Sequence, residues 1–168
     1  MNTFSNSYRK SISPIALVMG ILAFWLSATV VIDLVVIPSL SATGMMVSDG
    51  FASAGFLLFG IFNRIELLCA ASVVCCFLIL GRHHTLIHLP EHRSLIFAGL
   101  LLVITVIYTY FLSPNMSSLG MIDPLNSATE MSKGMIGFHQ VYWVLEVVKV
   151  ILIGKLLKWC YRDSCNIG

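Results

Sequence analysis

The sequence predicts an all-α membrane protein: a bundle of four transmembrane helices with both ends on the cytoplasmic side. Three observations carry this expectation. Hydrophobic residues make up 58% of the chain and charged residues 11%, whereas a soluble domain carries about 25% charged residues; mean hydropathy is +0.91. Apolar runs recur that match or exceed the roughly 20 residues a helix needs to cross a ~30 Å hydrocarbon core. The flanking basic residues Arg9, Lys10, Arg82, Arg93, Lys155, Lys158 and Arg162 fall on one side of a four-helix arrangement, and only Lys133 falls in the loops opposite. The positive-inside rule then places both termini in the cytoplasm. A three-helix reading would scatter the same residues.

Residues 1–13 read as a polar cytoplasmic segment, residues 14–161 as one transmembrane domain, and residues 162–168 as a cytoplasmic tail. Arg9 and Lys10 precede an apolar run from Ile15 to Pro38. That run is longer than a signal-peptide core and lacks an A-x-A cleavage site, so it reads as a retained first helix. Pro14 suits its first position and Pro38 marks its exit. Asp33 lies one turn before that exit, placed either to reach the interface or to pair inside the bundle.

The second helix, Phe51 to Gly81, carries Asn63, Arg64 and Glu66 in its middle. A charge near the bilayer centre costs roughly 2.5–3.5 kcal/mol on insertion scales, so such groups turn inward and find partners. At about 100° per residue, Arg64 and Glu66 point about 200° apart and do not neutralise each other. Asn63, three residues before Glu66, lies on the Glu66 face and is placed to hydrogen-bond there.

The polar loop from Arg82 to Arg93 contains His83, His84, His88 and His92. Histidines four apart on a helix can bind zinc or copper. Pro90, however, removes an N–H and disfavours helix at Leu89, so no metal site is assigned. Pro90 instead opens helix three, which runs to about Leu112. Tyr108 and Tyr110 sit near its far interface and Pro114 ends it. Helix four, Met135 to Tyr161, holds His139, Glu146 and Lys149.

Asp33, Asn63, Arg64, Glu66, Glu146 and Lys149 form the candidate site: polar groups at membrane depth. Glu146 and Lys149 are neighbours on one helix face. Arg64 and Glu146, both mid-helix, are the expected cross-bundle pair, with Glu66 as a partner for Lys149. The acids Asp33, Glu66 and Glu146 outnumber the bases Arg64 and Lys149 by one. Three uses fit such a set: pairs that fix helix register, docking to another membrane protein, and a proton, ion or substrate pathway. Register pairing is the favoured role.

His139 could serve as an axial cofactor ligand, although a capping or interfacial hydrogen bond is the commoner use of a lone histidine. The methionines suit Cu(I), but apolar packing accounts for them. Cys69, Cys75 and Cys76 lie within an apolar run, and Cys160 and Cys165 lie toward the cytoplasmic end, so no disulfide is expected. The small net charge of +2 does not suit nucleic-acid binding. Phosphate-loop, HExxH and CxxC patterns are lacking, and catalysis is not expected.

Several short motifs can be compared with a known family. Helix one ends Val36-Ile37-Pro38, helix two opens Ala54-Gly55-Phe56, helix three ends Tyr110-Phe111-Leu112-Ser113-Pro114, and helix four opens Gly137-Phe138-His139. This resembles the small four-helix membrane family of unknown function that includes transmembrane protein 205. The stretches Ile32 to Pro38, Gly44-Met45-Met46 and Phe62 to Leu68 resemble its cyanobacterial branch. The resemblance implies a cyanobacterial thylakoid membrane and brings no catalytic residues. The function expected is a non-catalytic accessory or assembly subunit that docks onto a larger membrane complex. A photosystem assembly intermediate leads the candidates, with lipid, chlorophyll or carotenoid contact. The alternatives are a small transporter or metal-handling protein that uses the intramembrane charges, and a membrane oxidoreductase subunit with His139 as ligand.

Overall fold

The computed structural model describes residues 14–43, 51–82, 91–122 and 133–166, and their regular structure is helical throughout. Four helices result. α1 covers 14–42, α2 is Phe51–Arg82, α3 covers 91–122 and α4 is Lys133–Asn166. The stretches Pro14–Leu40, Ala54–Gly81 and Arg93–Met116 are long and apolar enough to cross a membrane. The chain is therefore read as an integral membrane protein. The segment 1–13, the histidines His83, His84 and His88, and the residues 167–168 lie outside the described residues, as does the side chain of His92.

Side-chain pairs fix the topology. Ser164 meets Met19 and Tyr142 meets Asp33, so α4 runs antiparallel to α1. Phe97 stacks on Trp159 and Tyr108 meets Glu146, so α3 is also antiparallel to α4. Phe59 packs on Tyr142 and Lys149 reaches Glu66, so α2 and α4 run the same way. Each helix packs on its two neighbours in an up-down-up-down ring, which leaves α1/α3 and α2/α4 as the diagonals.

One spacing runs through all four helices. The seam residues, all buried, are Ile15, Val18, Leu22, Trp25, Thr29 and Asp33 on α1; Asn63, Glu66, Ala70, Val73 and Phe77 on α2; Ser94, Ala98, Leu101, Thr105, Tyr108 and Leu112 on α3; and Glu146, Lys149, Ile153, Leu156, Cys160 and Asp163 on α4, with Phe62, Ile104 and Leu152 buried beside them. Steps of three and four alternate along each set, except for two successive fours from Trp25 to Asp33 on α1. That is the 3.5-residue period of a left-handed, knobs-into-holes bundle. The polar residues named above are members of this seam, at positions where an apolar knob would otherwise sit.

Neither proline ends its helix. α1 passes through a π turn at Ile32–Val36 and resumes α geometry at Ile37–Ala42, with Pro38 second in the resumed segment. α3 does the same: a π turn at Tyr108–Leu112 precedes Ser113–Ile122, with Pro114 second. The expected exits at Pro38 and Pro114 are thus corrected, for a common reason. A helical proline lacks an N–H, and its ring presses on the carbonyl four residues back, but it is tolerated in a first turn. The wider π turn makes that first turn, with Ile37 donating to the Ile32 carbonyl and Ser113 to the Tyr108 carbonyl. α4 also exceeds its expected range at both ends.

Candidate functional site

The seam changes character partway along the bundle. Toward the Pro14 end it is mainly apolar and closed: Val18, Leu22, Val73, Leu101, Ile153 and Leu156 are all 0% exposed, with Ser94 and Asp163 as buried polar members. Toward the Pro38 end it turns polar, beginning at Trp25 and Lys149. At this level each helix presents a polar side chain into the core.

Glu66 is the hub. Its Oε1 accepts from Trp25 Nε1 at 2.9 Å, from Thr29 Oγ1 at 3.3 Å and from Lys149 Nζ at 2.5 Å. Three helices thus supply donors or the acceptor for one oxygen. Lys149 also stands 2.7 Å from Glu146 Oε1, its neighbour one turn earlier. Its ammonium lies 5.1 Å from the Tyr108 ring centroid and 5.9 Å from that of Phe62, which surrounds the charge with aromatic faces. The other Glu146 oxygen accepts from the Tyr108 hydroxyl at 2.8 Å. Tyr142 donates its hydroxyl to Asp33 Oδ1 at 2.9 Å, and the Asp33 and Glu146 carboxyls are neighbours. The Tyr142 and Tyr108 rings pack 5.4 Å apart. Just beyond, Asn63 donates to Ser113 Oγ at 2.5 Å and ties α2 to α3.

Such a cluster acts as a clamp. A charge taken from water costs several kcal/mol unless good pairing and extra hydrogen bonds offset it. Here Lys149 serves two carboxylates, and the indole, hydroxyl and phenol add further donors to them. Glu66 Oε2 is buried without a hydrogen-bond partner. Among the described residues no group of three potential ligands could hold a metal ion.

The structure brings together Asp33, Glu66, Glu146 and Lys149. It separates Arg64 from them. Arg64 is exposed on α2 and forms no ion pair among the described residues. Its expected partner, Glu146, is held by Lys149 and Tyr108. The physical reason is phase: Arg64 stands two residues from Glu66, so it points away from the seam that Glu66 occupies. Asn63 shares the buried face of Glu66, yet bonds to Ser113 instead of Glu66. Asp33 pairs inside the bundle and does not turn to an interface. His139 is exposed on α4, with its ring centroid 6.5 Å from that of Tyr142.

Trp25, Thr29, Tyr108, Tyr142 and Ser113 belong to the site and were not among the sequence candidates. A signal for three of them was present. Counting back by four, twice, from Asp33 gives Thr29 and then Trp25. Tyr142 lies four before Glu146, on the same face of α4. No family model matches the chain, and no curated protein or solved structure matches it.

Proposed function

We propose that the protein is a non-catalytic integral membrane subunit that docks onto a larger membrane complex, as an accessory or assembly factor. The observation that carries this reading is Arg64: a charge exposed on the outside of a membrane-spanning helix. A lipid-facing arginine is costly at that depth, and a protein partner is the cheaper environment for it. The other intramembrane charges are used within the bundle, in the Lys149 clamp. Between the clamp and the buried Ser94 and Asp163 the seam is closed by apolar side chains, among them Leu22, Val73, Leu101, Ile153 and Leu156, which favours docking over conduction.

In this proposal α4 is the fourth crossing and both termini are cytoplasmic. Summed hydropathy counts Glu146 and Lys149 against α4, but both are turned inward. Its outward face is Val141, Val144, Val147, Val148 and Ile151, all exposed. The family resemblance makes a photosynthetic complex in a thylakoid membrane the leading host, with lipids or pigments at the surface. Gentle detergent extraction from native membranes tests the reading. A membrane polypeptide recovered in stoichiometric amount supports it, and a photosystem component supports its photosynthetic form. A homogeneous monomer or homodimer would overturn it.

A further inference from the structure

We infer that the outer face of α2, centred on Arg64, receives a transmembrane helix of a different protein that carries a carboxylate at the depth of Arg64. This rests on the docking reading and names its surface and the chemistry of the partner. Leu57, Ile61, Arg64, Leu68, Ser72 and Cys75 are all exposed. They follow one another at steps of four, three, four, four and three, so they form a single stripe nearly opposite the Asn63–Phe77 seam. α2 therefore carries two seams of similar period, and only one is filled by this chain.

Arg64 is the charge that this second seam leaves uncompensated. In the three spans the charged residues are Asp33, Arg64, Glu66 and the terminal Arg93; both acids are buried, and Arg93 sits at a span end. At 1.5 Å per residue, Arg64 lies about 15 Å from the nearer end of Ala54–Gly81 and about 5 Å from its middle. A carboxylate on the partner would give it a bidentate match. Among the described residues a second copy of this chain does not supply one. The acids whose side chains are described, Asp33, Glu66, Glu146 and Asp163, are all buried. Below Arg64, Ser72 and Cys75 are small, which lets a partner backbone approach closely, as in membrane helix pairs.

Photo-crosslinking in native membranes tests the inference, using full-length chain with benzoylphenylalanine at Ser72 or, separately, at the exposed Val144 on α4. The expected result is a heteromeric adduct from Ser72 that maps within one turn of an Asp or Glu in a partner's membrane helix. Arg64→Leu should reduce that adduct about tenfold or more, as loss of a charged hydrogen-bonded pair implies. Arg64→Glu combined with a lysine at the partner acid should restore it. Adducts from Ser72 to a second copy, or to lipid alone, would overturn the inference. Heteromeric adducts from Val144 but not Ser72 would overturn it too, while leaving the docking reading intact. An Arg64→Leu variant that crosslinks normally from Ser72 would also count against it.

Discussion

Lys149 and Glu66 stand on diagonally opposed helices, yet their charged atoms are 2.5 Å apart and each side chain is 1% exposed. The α2 and α4 backbones stay apart and only their side chains meet. The contact therefore passes through the centre of the bundle, and the lysine chain fills the space that an apolar knob would occupy. It also fixes how α4 is turned, because only one rotation aims Lys149 at Glu66 while Glu146 meets Tyr108.

Removing one partner of a buried pair strands the other, at a cost of about 3–5 kcal/mol. Lys149→Ala strands two carboxylates, whereas Glu66→Ala leaves Lys149 its contact with Glu146. Lys149→Ala should therefore be the more damaging change, and Lys149→Met with Glu66→Gln should be milder than Lys149→Ala. Unfolding in mixed detergent micelles, followed by tryptophan fluorescence, measures the order. Equal and slight effects for both single variants would contradict the clamp.

Arg64→Leu should leave the stability of the purified protein within about 0.5 kcal/mol of the parent, as for an exposed site with no partner. Glu146→Ala should destabilise, because Lys149 and Tyr108 both lose an acceptor. Combining the two changes should give no rescue. A clear rescue in the same unfolding assay would restore an Arg64–Glu146 pair and refute the geometry described above.

Trp25→Phe deletes the N–H given to Glu66 and, with its smaller ring, also leaves space in the core. Tyr142→Phe deletes the hydroxyl given to Asp33. Each leaves a buried carboxylate one donor short, so each should cost about 1–3 kcal/mol. Tyr110→Phe, at an exposed ring, serves as the control and should be neutral. A Tyr142→Phe variant as stable as this control would remove Tyr142 from the site.

The fourth crossing has a simple test. Ser118, near the end of α3, and Cys165, near the end of α4, are both exposed. If α4 crosses, a Ser118→Cys thiol and the native Cys165 thiol label from opposite sides of sealed vesicles, with the other cysteines replaced by alanine. Labelling from the same side would mean that α4 lies on the membrane and does not span it.

The helices were legible because long apolar runs leave few other structures open in a bilayer. Their inner faces were harder to read. Leu22 is buried and Leu34 is exposed, and lipid and core reward both alike, so apolar pattern does not mark the inside. Polar residues do mark it, through their spacing: Glu146, Lys149 and Asp163 share one seam. Arg64 was misread because depth along the helix was weighed above rotation about it. The proline exits were misread because a stop signal assumes uninterrupted α geometry. Nothing in Ile32–Val36 or Tyr108–Leu112 announces a π turn apart from the proline two residues later.

Those two wide turns make the chain's tolerance of length changes uneven. A π turn holds one residue more than an α turn. Losing a single residue within Ile32–Val36 or Tyr108–Leu112 would convert it to ordinary helix and leave the flanking faces where they were. The same loss between Val18 and Trp25, or between Ala98 and Thr105, would swing everything beyond it by about 100° and carry the clamp out of the core. Insertions and deletions in relatives of this chain should therefore collect at two sites, each just ahead of a proline.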